Sequence, residues 1–111
     1  MAKAKIQLMK LSCVKKQDAG LGKDEVNVYL GGEFHGGPFK IGKNGDDVFV
    51  GGGFTEFEDD ILITLKEKDG DKEDTLGSWK AYATETSEIR RAHFHALSGA
   101  DYHLLYDVDA L

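Results

Sequence analysis

Apolar side chains recur along this chain in short alternating or mixed runs, about ten to fifteen residues apart, with Gly- and Asp-rich segments between them. That rhythm predicts strands. Strands are expected near 4–14, 25–31, 38–42, 47–51, 60–66, 77–84, 90–97 and 102–109, eight in all. In the fifth, Ile61, Ile63 and Leu65 share one face, and in the last, Tyr102, Leu104, Tyr106 and Val108 do, so each has a buried and a wetter side. The first is less regular. Ile6 and Leu8 fall on one face and Met9, Leu11 and Cys13 on the other, which predicts a bulge or burial of both faces. The one stretch open to a helical reading, Thr84 to Arg91, lacks an apolar stripe. Fourteen glycines and one proline suit a chain of many tight turns. The expected fold is an all-β, antiparallel, eight-stranded β-sandwich, with residues 1–111 as one domain.

If such strands run alternately up and down, the connections after the first, third, fifth and seventh fall at one end: 15–24, 43–46, 67–76 and 98–101. Asp18, Asp24, Asp46, Glu67, Asp69, Asp71, Asp74 and Asp101 gather at that end. The other end has Glu56, Glu58 and Asp59, with Glu85 and Glu88. An aspartate in a turn ordinarily does no more than solvate it and bond its backbone. Carboxylates drawn together from four connections repel one another unless a cation sits between them, and the hard oxygen ligands offered are those that Ca²⁺ prefers.

Two stretches carry a resemblance to a family. Leu11-Ser-Cys-Val-Lys-Lys-Gln-Asp-Ala-Gly-Leu-Gly-Lys-Asp24 resembles the first calcium loop of C2 domains, in which one aspartate ends a strand and a second, six residues on, opens the next. Ile63-Thr-Leu-Lys-Glu-Lys-Asp-Gly-Asp-Lys-Glu-Asp-Thr-Leu-Gly77 is similar to the third loop of that family, with two acids at i and i+2 and another before a hydrophobic-glycine pair. The resemblance implies a C2-like sandwich that binds Ca²⁺ through Asp18, Asp24, Glu67, Asp69 and Asp74 in acidic loops at one pole. Glu67 stands where the family usually has Asp, and Glu25 where it usually has Pro. In that family the ions bridge to anionic lipid head groups while apolar loop tips enter the bilayer. Here Leu21 is the apolar tip of the first loop and the third is polar throughout, so membrane binding is expected to be weak.

Other calcium motifs fit less well. Asp69-Gly-Asp-Lys-Glu-Asp begins like an EF-hand loop, but Asp74 occupies the position of the required glycine and the closing glutamate is missing. Gly42 to Gly53 resembles a single copy of a β-roll nonapeptide, and Phe54 and Thr55 break the next copy. Gly51-Gly-Gly reads as a corner or bulge, with no helix after it to make an anion site.

Charge and composition narrow the function classes. Lys+Arg of 14 against Asp+Glu of 20 leaves a net charge of −6, which argues against a nucleic-acid partner. The basic start, Met-Ala-Lys-Ala-Lys-Ile, runs into alternating polar residues, so neither a signal peptide nor a membrane span is expected, and the compartment stays open. The single Cys13 excludes an internal disulfide and reads as core. No serine sits in a glycine elbow and Cys13 lies within a strand, so no enzyme is expected. His93 and His95, two apart on one strand face, form half of a zinc or nickel site that His35 or His103 could complete, against the commoner reading of solvent-facing histidines. Trp79 reads as core or partly buried beside 67–76, and Arg90-Arg91 as a solvated face. The function expected is a calcium-binding β-sandwich acting as a structural or interaction module, its partner an unspecified protein or anionic ligand. Calcium-dependent phospholipid or carbohydrate binding, or a metal-free adhesion or assembly module, are the alternatives.

Overall fold

The β-prone segments pair into two antiparallel sheets in a computed structural model that describes residues 2–16, 23–86 and 88–111. The strands are β1 (Lys3–Lys15), β2 (Asp24–Leu30), β3 (Glu33–Ile41), β4 (Asp47–Phe49), β5 (Phe54–Glu58), β6 (Asp60–Asp69), β7 (Lys72–Tyr82), β8 (Arg90–His95) and β9 (Asp101–Ala110). One sheet has the order β4-β1-β9-β8, with β5 also on β1, and the other the order β3-β2-β6-β7. No helix occurs among the described residues. Of the Thr84–Arg91 stretch, which lacks an apolar stripe, Arg90 and Arg91 open β8 and the rest, as far as it is described, belongs to a turn-containing connection.

Among the described residues nine strands form where eight were expected, and the glycine run is the reason. Gly51, Gly52 and Gly53 take φ values of 59°, 89° and 79°, in the region that side chains with a Cβ avoid. They break one sheet edge into two pieces, so that β4 pairs with β1 at Lys10↔Phe49 and β5 resumes at Gln7↔Phe54. The stretch 54–58, expected as a connection, is therefore a strand. Both pieces run the same way, so the up-and-down alternation of the remaining strands is preserved.

The irregular pattern of the first strand has a specific cause. Leu8 pairs with Tyr106 and Leu11 with Leu104, so Met9 and Lys10 together face the single residue Leu105. This bulge lets Ile6, Leu8, Leu11 and Cys13 all point inward and stay buried. They meet Tyr102, Leu104, Tyr106 and Val108 of β9 and Ala92 and Phe94 of β8. Val26, Val28, Leu30, Ile41, Ile61, Ile63, Leu65 and Leu76 close the core from the second sheet. Each fully buried Leu or Ile contributes about 1.5–3 kcal/mol relative to exposure, which sets the strand register against slippage.

The second difference bears on the site. The segment 67–76 was expected to be an acidic loop, but β6 runs to Asp69 and β7 starts at Lys72, leaving Gly70 and Asp71 as the turn. Glu67↔Asp74, Lys68↔Glu73 and Asp69↔Lys72 are rungs of a paired hairpin.

Candidate functional site

Strand register decides where the acids stand. Asp24 opens β2 opposite Ile41, and two residues further on Val26 pairs with Glu67, which in turn pairs with Asp74. Asp69 lies two residues beyond Glu67 toward the same end. Because alternate residues share a face, Asp24, Glu67, Asp69 and Asp74 lie on the inward-facing side of the second sheet at one end of the sandwich. The connection 42–46 and the turn 96–100 reach the same end. Cys13 N–H donates to Asp46 O at 2.9 Å, Gly45 N–H to Cys13 O at 2.8 Å, and Lys15 pairs with Asp101.

The four carboxylates differ in their surroundings. Asp24 is fully buried and Glu67 is 3% exposed, whereas Asp69 and Asp74 are exposed. The Tyr102 hydroxyl donates a hydrogen bond to Asp24 Oδ2. Burial first, and then that bond and the Asp24 charge, push the Tyr102 phenol well above the usual tyrosine range, so it stays a donor. Burial likewise raises the Cys13 thiol, in part offset by its hydrogen bond with Tyr102, which makes it a poor thiolate. Glu67 and Asp74 sit directly across from each other, an unfavourable pairing of like charges. Among the described residues no three His, Cys, Asp or Glu side chains are grouped to hold a metal ion.

The remaining acids are otherwise placed. Asp18, and with it the tip residue Leu21, lies outside the described residues. Asp46 Oδ2 accepts from Gly42 N–H at 2.9 Å and Lys43 N–H at 3.0 Å, so it closes its own turn. Asp71 is exposed in the hairpin turn and Asp101 is half-buried opposite His95. At the other end Asp59, at φ 62°, accepts from Ala2 N–H at 3.0 Å. Leu97, in the turn before β9, is fully exposed at the acidic end, an apolar residue that the strand reading had placed within a strand.

Three further clusters were not legible as contacts in the sequence. On the outer face of the second sheet, Glu73 accepts from Asn27 Nδ2 at 3.0 Å and from the Tyr29 hydroxyl at 2.7 Å, and Lys66 Nζ lies 4.7 Å from the Tyr29 ring centroid. Those bonds from Asn27 and Tyr29, with Lys66 and Lys68 nearby, lower the Glu73 pKa, and the bond to Glu73 raises that of Tyr29. On the first sheet, His93 stands beside His103, not paired with His95. Desolvation and the neighbouring His93 lower the His103 pKa. Between the two sheet edges, half-buried Trp79 donates from Nε1 to the Tyr106 hydroxyl at 3.2 Å, which bonds Glu85 at 3.1 Å. Burial pushes Tyr106 up to about 12.

No protein-family model and no curated protein matches the chain by sequence. Solved structures do match its fold. A C2 domain covers 98% of this chain and 99% of its own length at 12% identity, with a TM-score of 0.56. A C2 domain of plant extended synaptotagmin 1 covers 99% and 95% at 9% identity, with a TM-score of 0.58. Human GIVD cytosolic phospholipase A2, solved with a fluorophosphonate inhibitor and terbium chloride, matches 99% of this chain but over only 17% of its own, at 8% identity and a TM-score of 0.55. Two antiparallel sheets in this topology, matched over nearly the full length of independent C2 structures, make the chain a C2-like β-sandwich domain.

Proposed function

We propose that this chain is a calcium-binding interaction module that takes up Ca²⁺ at its acidic end through Asp18, Asp24, Glu67, Asp69 and Asp74. The observation that supports this reading is the antiparallel register, which brings Asp24, Glu67, Asp69 and Asp74 to one face at one end from two separate parts of the chain. A divalent cation there relieves the Glu67–Asp74 repulsion and supplies a charge that an anionic partner can approach. The described carboxylates do not by themselves form a three-ligand group, so in this reading the ion draws Asp69, Asp74 and Asp18 together. No catalytic role is part of it.

The experiment is a melting series of the chain in chelator, in millimolar Ca²⁺ and in millimolar Mg²⁺. Ca²⁺ stabilises the folded state by mass action, by about 2.7 kcal/mol when present at a hundred times its Kd, and Mg²⁺ much less. Asp69→Asn abolishes the Ca²⁺ shift while leaving the chelated protein as stable or more so, because Asp69 is exposed and its removal lowers the negative charge. Asp59→Asn at the other end keeps the shift, since Asn also tolerates a φ of 62°. Identical melting curves with Ca²⁺ and with chelator would favour the second reading, a metal-free interaction module. The specific observation on that side is that Asp24 is buried and already holds the Tyr102 hydroxyl.

A further inference from the structure

Strand β8 is the edge of its sheet and pairs within it with β9 alone. Ala92 and Phe94 turn into the core, so Arg91, His93 and His95 face outward. On the rung His93↔His103 the two imidazole rings stand abreast, with centroids 4.3 Å apart and planes at 58°. His93 is exposed and His103 half-buried, so the pair opens to solvent on one side. The surroundings restrict both rings. Trp79 lies 5.8 Å from His93 between ring centroids, and His103 is flanked across β1 by Ser12.

A tetrahedral divalent ion takes imidazole nitrogens at about 2.0–2.1 Å, which places two such nitrogens roughly 3.3 Å apart. Residues directly opposite in an antiparallel pair have Cβ atoms about 4.5–5.5 Å apart, so two imidazoles on one rung span that separation by small side-chain rotations. We propose that His93 and His103 form a two-imidazole clip for a divalent transition-metal ion of the zinc, copper and nickel class, with water in the remaining positions. Imidazole suits these ions and not the hard Ca²⁺, so the clip is chemically separate from the acidic end. Its ligands belong to two different strands, and a bound ion therefore fastens the edge strand β8 to β9. Neither His95, which faces Asp101 two rungs away, nor His35, whose Nε2 lies 2.7 Å from Gly51 O, belongs to it.

The test is calorimetric titration of the untagged, chelator-stripped chain with zinc chloride and with nickel chloride, together with melting curves. One ion binds per chain, and the melting temperature rises with metal. His93→Gln and His103→Gln each lower the affinity by about tenfold or more, and the double variant is little worse than either single one, because one remaining imidazole cannot chelate. His95→Gln keeps the affinity within about twofold, on the same scale. Millimolar Ca²⁺ leaves zinc affinity unchanged; competition by Ca²⁺ would place the metal at the acidic end and overturn the assignment. Absence of saturable binding, or binding that survives either substitution on the rung, overturns it as well. All three histidine substitutions lie on the outer face of the sheet, and the metal-free melting temperature of each confirms that the fold persists.

Discussion

The Tyr102 hydroxyl on Asp24 ties the acidic end to the core. It joins the first-sheet strand β9 to the second-sheet strand β2 through a fully buried carboxylate. Burying a carboxylate is costly unless donors replace water, and a hydrogen bond to a charged group is worth more than a neutral one. Tyr102→Phe removes one of those donors without changing the shape of the core. The expected loss is about 1–3 kcal/mol in urea unfolding, the range for taking a partner from a buried polar group. A loss below that range would mean that Asp24 is satisfied by its other contacts. By its position in the motif Asp24 is expected as a ligand, and nothing in the sequence points to Tyr102 as its partner. The two are 78 residues apart. In the alternating pattern Tyr102 is one of four like residues on a core face, and only the closing of the sandwich shows which of them meets a carboxylate.

At the scale of strands, the cluster on the outer face of the second sheet ties β7 to β2 across β6. Glu73 on β7 reaches Asn27 and Tyr29 on β2, while Lys66 on β6 covers the Tyr29 ring. Because the folded-state pKa of Glu73 lies below its ordinary value of 4.5, the cluster stabilises the fold above that pH. The contribution fades as pH falls from about 4.5 through the lowered folded value, where the carboxylate takes up a proton. Glu73→Gln is expected to flatten that part of the acid unfolding profile and to leave the neutral-pH profile nearly parallel to the parent. The size is small, toward the lower end of the roughly 0.2–1 kcal/mol of exposed charge contacts, since Glu73 is open to solvent. An unchanged acid slope in Glu73→Gln would show that the bonds to Asn27 and Tyr29 carry no net stability. This cluster exists because the hairpin stays paired as far as Lys72, a length that the acidic composition of 67–76 had concealed. Composition marks a segment as wet, but cross-strand pairing can continue through wet residues as long as both backbones stay extended.

Across the whole molecule, charge sets the conditions for meeting a surface. With a net charge of −6 and exposed Asp69, Asp71 and Asp74 at one end, the chain is repelled from anionic vesicles in chelator, and no co-sedimentation is expected there. If Ca²⁺ brings about association, Leu97→Asp weakens it, because Leu97 is the fully exposed apolar side chain described at that end. Vesicle binding that needs no Ca²⁺ would count against the calcium reading of the acidic end. The hydrophobic pattern by itself determined that the chain is all-β, with Ile61, Ile63 and Leu65 and the Tyr102 to Val108 series inward, since a period of two leaves only one way to bury each of these two strands. The spacing of the acids, with the resemblance they carry, pointed to the C2-like architecture. Tertiary structure alone decided the rest. It split one edge at Gly51–Gly53, made Met9 and Lys10 a bulge, carried Glu67 and Asp74 into a paired hairpin, gave Asp24 to Tyr102 and set His93 beside His103 instead of pairing it with His95. These outcomes share a physical reason. Periodicity reports which face of its own strand a residue occupies, whereas partners across a sheet or a core are chosen by register between strands distant in sequence.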